Sequence, residues 1–170
     1  MSHDLQQLAE SFISRNPRIN ETGQITSIDE FKQIPSHVRE RIPDWYKKLL
    51  LNFPIAKAEI GLPNDYGQEE LKLLKQEDQP SFVITFLSLE QIVFEVANTF
   101  PACQLIDDGF LCVAIDEMTT QEGVYIDITV DDPKLLLIFH DMGESNSELL
   151  SNGDVLAPKF SDLFILGRIE

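Results

Sequence analysis

Phe110-Leu111-Cys112-Val113-Ala114-Ile115 is an unbroken apolar run, the pattern of a strand covered on both faces. After it, Val124, Ile126, Ile128 and Val130 alternate with Tyr125, Asp127 and Thr129, which predicts a half-buried strand. Residues 135–139 form a second central-type run. Asp107-Asp108-Gly109 precedes the first strand, and Thr120-Gln121-Glu122-Gly123 and Asp131-Asp132-Pro133 punctuate the rest. Such short gaps favour antiparallel neighbours. The C-terminal half is therefore read as a strand meander.

Upstream, residues 88–99 read as a helix. Ser88 and Gln91 spell a capping box. Leu89, Ile92, Val93, Val96 and Phe100 follow helical spacing, and Pro101 stops it. Residues 82–86 read as a short strand, 68–80 as a marginal helix around Leu71, Leu73 and Leu74, and 55–61 as a strand. Ile42-Pro43-Asp44-Trp45-Tyr46-Lys47-Lys48-Leu49-Leu50 reads as a core helix, with Pro43 at its first position. Ser27-Ile28-Asp29-Glu30 is another capping-box spelling, closed off by Pro35. Residues 4–15 form a helix, and the polar stretch 16–24 a linker across which that helix packs loosely. Beyond a loop rich in Gly, Ser and Asn, residues 160–166 make a closing helix with Ser161 as candidate cap.

This order predicts an α+β fold: one domain over residues 25–170, preceded by the helix and linker of residues 1–24. Its sheet is expected to be mostly antiparallel, with about four to six strands and helices packed around it. Trp45, Leu49, Val93, Val113, Ile126, Leu137 and Phe164 are the expected core anchors.

Acid is unevenly spread. The 170 residues carry a formal charge of −16, from 29 acidic and 13 basic residues. Residues 1–100 hold 15 acids and 10 bases; residues 101–170 hold 14 acids and only 3 bases. Acids set between apolar runs mark the turns of a folded sheet rather than a disordered tail. They read either as solvated turns or as a face for a basic partner, whose encounter they would speed. The pool for such a face is Asp107, Asp108, Asp116, Glu117, Glu122, Asp127, Asp131, Asp132, Asp141 and Glu144. The same charge argues against nucleic acid and anionic membrane as partners.

Catalytic and cofactor patterns are missing from the sequence. His3, His37 and His140 are far apart, with no zinc spacing. The Asp pairs lack the spaced oxygens of a calcium loop and read as turn formers. No metal or cofactor is expected. Cys103 and Cys112 read as small buried hydrophobes. His140-Asp141 ends a strand, which suits a packing residue, a partner contact or, least of all, a catalytic base. No apolar run approaches the roughly 18 residues of a membrane span, and no secretory pattern opens the chain. A cytoplasmic location is expected.

The segment order resembles the SUKH superfamily, whose members carry a domain like the fungal Smi/Knr cell-wall regulator. The stretch from Ile42 to Leu50 resembles the family's opening helix, LP-x-x-Y/W-x-x-x-L. Phe160-Ser161-Asp162-Leu163-Phe164 resembles its closing F-x-x-F/L. Asp107-Asp108-Gly109 through Asp116, then Gly123-Val124-Tyr125, resemble its Gly turn and following strands. Many members carry a Gly-Gly pair after the first helix, where this chain has Asn52-Phe53-Pro54-Ile55. The resemblance covers about residues 25–166. It implies an α+β fold without enzymatic activity, and in bacteria an immunity protein that neutralises a toxin, often a nuclease. Two alternatives stand beside it: an adapter that binds a cellular protein, and an enzyme built around His140, Asp141 and nearby carboxylates.

Overall fold

A computed structural model of the chain describes residues 3–62, 82–117 and 121–169. The expected helix at 68–80 lies outside these residues. The described chain is α+β. Helices α1 (His3–Arg15), α2 (Ile19–Thr22), α3 (Ile28–Gln33), α4 (Ser36–Arg39) and α5 (Asp44–Asn52) precede strands β1 (Glu59–Leu62) and β2 (Phe82–Phe86). Then come α6 (Leu89–Asn98), α7 (Ala102–Leu105), β3 (Phe110–Asp116), β4 (Gly123–Asp127) and β5 (Leu135–Ile138). Helix α8 (Asn146–Asn152), β6 (Asp154–Ala157), α9 (Asp162–Leu166) and β7 (Arg168–Ile169) complete it.

The described strands form one antiparallel sheet of seven, in the order β6-β5-β4-β3-β2-β1-β7. Strands β1 to β6 run as a meander that curls into a half-barrel, and β7 returns to pair with β1. Bulges between Cys112 and Ala114 and between Leu135 and Leu136 add local twist. The count exceeds the expected range because β6 and β7 are short and lack an apolar period.

Local chemistry explains where expected boundaries move. The strand expected over 55–61 begins only at Glu59, because Lys57 turns the chain with φ 63°. Strand β4 ends at Asp127, not Val130. The Asp127 carboxylate accepts from the Thr129 amide at 2.9 Å and hydroxyl at 2.6 Å, which makes a turn. Pro43 is the N-cap of α5 rather than its first helical residue. Ser161 makes no side-chain cap to α9. Its amide and hydroxyl instead donate to Asp132 in the β4–β5 turn, at 2.7 and 2.8 Å.

Phe160 is the centre of the core. Its ring lies 5.0 Å from Trp45, 6.1 Å from Tyr46, 6.1 Å from Phe86 and 5.8 Å from Phe164, all edge-on. That geometry suits the ring quadrupole. The closing segment thus plugs the space between α5 and the sheet. Of the expected anchors, Trp45, Leu49, Val113, Ile126, Leu137 and Phe164 are buried, while Val93 is only half-buried.

The first helix is not loosely attached. Leu5, Ala9 and Phe12 are buried in the same core, and Phe12 stacks edge-on against Phe164 at 5.6 Å. Arg15 donates to the carbonyls of Phe164 and Ile165. The polar stretch after it is equally fixed. Gln24 bridges Ala56, and a Cβ on Gly23 would stand 1.8 Å from the Pro54 carbonyl oxygen, so only glycine fits.

Two expectations follow. Phe12→Ala and Phe160→Ala should each cost about 3–5 kcal/mol in urea unfolding. Phe94→Ala, at a side chain 58% exposed, should stay within about 0.5 kcal/mol. The capping boxes give a pH signature. Ser27 amide and hydroxyl hold Glu30 below the ordinary 4.5, and the amides of Glu144 and Ser145, with the Ser145 hydroxyl, do the same for Glu148. A carboxyl lowered on folding stabilises above its unfolded value and loses that contribution as pH falls through its folded value. The Tm deficit of an E30Q/E148Q variant should therefore be largest near neutral pH and shrink below pH 4.5.

Candidate functional site

Strand register sorts the acidic pool. Gly123 pairs with both Ile115 and Ile138, so the β3–β4 turn and the residues after β5 share one end of the sheet. Phe110 pairs with Asp127, and Ile126 with Leu135. This puts Asp107, Asp108 and the β4–β5 turn at the opposite end. The ten expected carboxylates do not converge on one face.

At the far end most are engaged in holding the fold. Asp107 pairs with Arg41 at 3.0 Å, Asp108 accepts from Asn146, Asp127 closes its own turn, and Asp132 fastens Ser161. Asp131 is exposed there, and Glu144 is exposed ahead of α8. At the near end Asp116 and Glu122 are 0% and 5% exposed. Both are buried, one at the end of β3 and one just before β4, and so leave the surface pool. Glu117 and Asp141 remain exposed at this end.

The near end also holds a cleft of about 300 Å³, lined among others by Glu95, Phe100, Gln121, Glu122, Tyr125 and His140. Gln121 takes a left-handed conformation, φ 60°, just before Glu122 turns inward. Both Glu122 oxygens then serve His140. One accepts from its amide at 3.1 Å and the other from Nδ1 at 2.8 Å. The carboxylate is an acceptor, so Nδ1 carries the proton, and in the neutral imidazole Nε2 keeps its lone pair. The imidazole is 59% exposed while its partner carboxylate is 6% exposed. An imidazole oriented in this way can accept a hydrogen bond or take up a proton.

Tyr125 floors the cleft. Its ring lies over Gly123, where a Cβ would come within 2.6 Å of Cε2. Its hydroxyl meets the buried Cys112 thiol. Burial pushes both groups up in pKa; the Cys112 thiol then adds to the rise at Tyr125, and the Glu95 charge to the rise at both. The thiol stays protonated and unreactive at neutral pH. Cys103 is half-buried, and both cysteines are free. Glu95 belongs to the site although its position inside a helical run hid it from the sequence reading. The available signal was its place one turn before Thr99-Phe100-Pro101, where α6 stops beside the sheet.

A larger hollow of about 440 Å³ lies between α3 and α6, around Ile34, Pro35, Leu89 and Val93. Among the described residues its lining holds no histidine and no buried carboxylate, whereas the smaller cleft holds both. Among the described residues, no helix is long and apolar enough to cross a membrane, and no three His, Cys, Asp or Glu side chains gather as a metal site would require. No family model, curated protein or solved structure matches the chain.

Removing the Glu122 acceptor should destabilise. Glu122→Leu leaves the His140 amide unserved and should cost about 1–3 kcal/mol. His140→Gln, at an exposed side chain, should cost under about 1 kcal/mol. Urea unfolding of the two variants reads the difference.

Proposed function

We propose that this protein is a non-catalytic binding protein of the SUKH immunity type. It neutralises a basic, nuclease-type toxin by presenting the near end of its sheet. The observation that carries this reading is the division of the carboxylates. Most of those at the far end are tied into the fold, whereas Glu95 in the cleft lining and the exposed Glu117 and Asp141 at the same end of the sheet have no Lys or Arg partner among the described residues. Carboxylates held on strand ends and a helix, with no local cation, project a persistent negative field.

A nuclease must hold phosphates, so its cleft is basic. An acidic body seated there competes with substrate and arrives fast. The α+β order, with its opening helix at Asp44–Asn52 and closing helix at Asp162–Leu166, supports the SUKH comparison. The adapter reading uses the same surface and differs only in who arrives at it.

Co-expression with cationic nuclease toxin domains tests the proposal. The wild-type chain should restore growth against its cognate toxin. E117K/D141K should lose rescue and weaken calorimetric affinity at least tenfold, with a shallower salt dependence. Asp131→Lys, at the far end, should change affinity less than threefold. Equal loss from both ends, or affinity that does not respond to salt, would overturn the electrostatic mechanism.

A further inference from the structure

We propose that the near-end cleft is a socket for one arginine side chain of the basic partner, with the guanidinium on Glu95 and its flat face against Phe100. This deepens the proposed function and rests on it for the identity of the partner. The chemistry of the socket is argued from its walls.

Size comes first. About 300 Å³ is the small end of ligand clefts, suited to a single long side chain rather than to a nucleotide. Charge comes second. Among the described residues the lining includes Glu95 and Glu122 and no Lys or Arg. The Glu95 carboxylate makes no hydrogen bond or ion pair with any described residue. Its charge is felt at Tyr125 and Cys112 beneath the floor, where it opposes any further negative charge. An anionic ligand meets the same opposition.

Hydrogen bonding comes third, and it separates a cation from other polar groups. With Nδ1 bound to Glu122, the neutral His140 ring offers Nε2 as an acceptor. Glu95 is also an acceptor. Arginine has five N–H donors and no acceptor, so it matches the Glu95 carboxylate and His140 Nε2, and the Thr99 hydroxyl and Gln121 carboxamide in the same lining can each turn an oxygen toward it. Shape comes last. Phe100 is 41% exposed at the rim, and the Tyr125 ring is held in the floor by the bare Gly123. A planar, weakly hydrated guanidinium stacks on such rings, whereas a lysine ammonium remains more strongly hydrated. Glu122 acts here as a positioning residue, because it sets which nitrogen of His140 faces the guest.

The full chain, labelled with ¹⁵N, is titrated with N-acetyl-arginine methylamide, with its neutral citrulline analogue and with the lysine equivalent. The arginine probe should give saturable shifts centred on the amides of Thr99, Gln121, Gly123 and His140. Lysine should bind at least threefold more weakly, and citrulline should give no saturable shift. Glu95→Gln should lower arginine affinity at least fivefold. Phe100→Leu, which keeps the bulk but removes the ring face, should lower it about threefold. Shifts spread evenly over all exposed acids, equal response to lysine, or unchanged affinity in both variants would overturn the socket. The two proposals fail separately. If E117K/D141K abolishes toxin binding while arginine leaves the cleft untouched, the socket falls and the acidic-face reading stands. If arginine seats as described but charge reversal leaves toxin affinity unchanged, the reading of the partner falls and the socket chemistry stands.

Discussion

The Phe160 ring is the contact on which the rest of the molecule depends. It enters from the end of the chain and meets Trp45 and Tyr46 of α5, Phe86 of β2 and Phe164 of α9. A curled sheet needs something to fill its concave side, and here that filler is supplied late in sequence. The strain of placing it is met by Asp132, which adopts φ 58° so that both carboxylate oxygens reach Ser161. Buried hydroxyl and indole groups yield to this packing. Among the described residues Trp45 Nε1 and Tyr46 Oη find no hydrogen-bond partner, a cost of about 1–3 kcal/mol each that the aromatic cluster and its burial offset.

That fastening explains the asymmetry of the two sheet ends. The far end lies where the closing segment is anchored by Asp132 and where Arg41, α7 and α8 meet the meander. Its carboxylates are drawn into the structure by Ser161, Arg41, Asn146 and the Thr129 turn. The near end has no such task. There Glu122 is bound to His140, but Glu117 and Asp141 are exposed with no ion pair among the described residues and keep their field. An acid count along the chain cannot distinguish these two situations, although only one of them leaves charge available to a partner.

Much of the fold was nevertheless legible. Strands β2, β3 and β5 fall almost where apolar period places them, and the Ser27 and Ser88 capping boxes form with both reciprocal bonds. These are local signals with local causes. A third capping box, Ser145 with Glu148, was equally visible ahead of Leu149-Leu150 but was masked by its Gly- and Ser-rich surroundings. Strand β7 has two residues and exists only because β1 offers a free edge. The docking of α1 was illegible for a similar reason, since Phe12 finds Phe164 across most of the chain length. At the site, strand alternation alone cannot tell which strand-end acid turns inward. The burial of Asp116 and Glu122 comes from sheet curl and from the left-handed Gln121, neither of which residue type announces.

The inward turn of Glu122 is what makes the near end a site rather than a charged rim. A carboxylate left in solvent would hold His140 weakly, because exposed pairs gain little. With 6% exposure and both oxygens engaged, it locks the backbone and ring of His140 together. The same turn leaves Gly123 bare under Tyr125, so the floor and one wall are set by adjacent residues of one strand. Glu95 and Phe100 supply the opposite side from α6 and its end. The cleft is thus walled by elements that the core already holds rigid, and a guest would not have to order them. Pre-organisation of this kind leaves more of the contact energy for affinity.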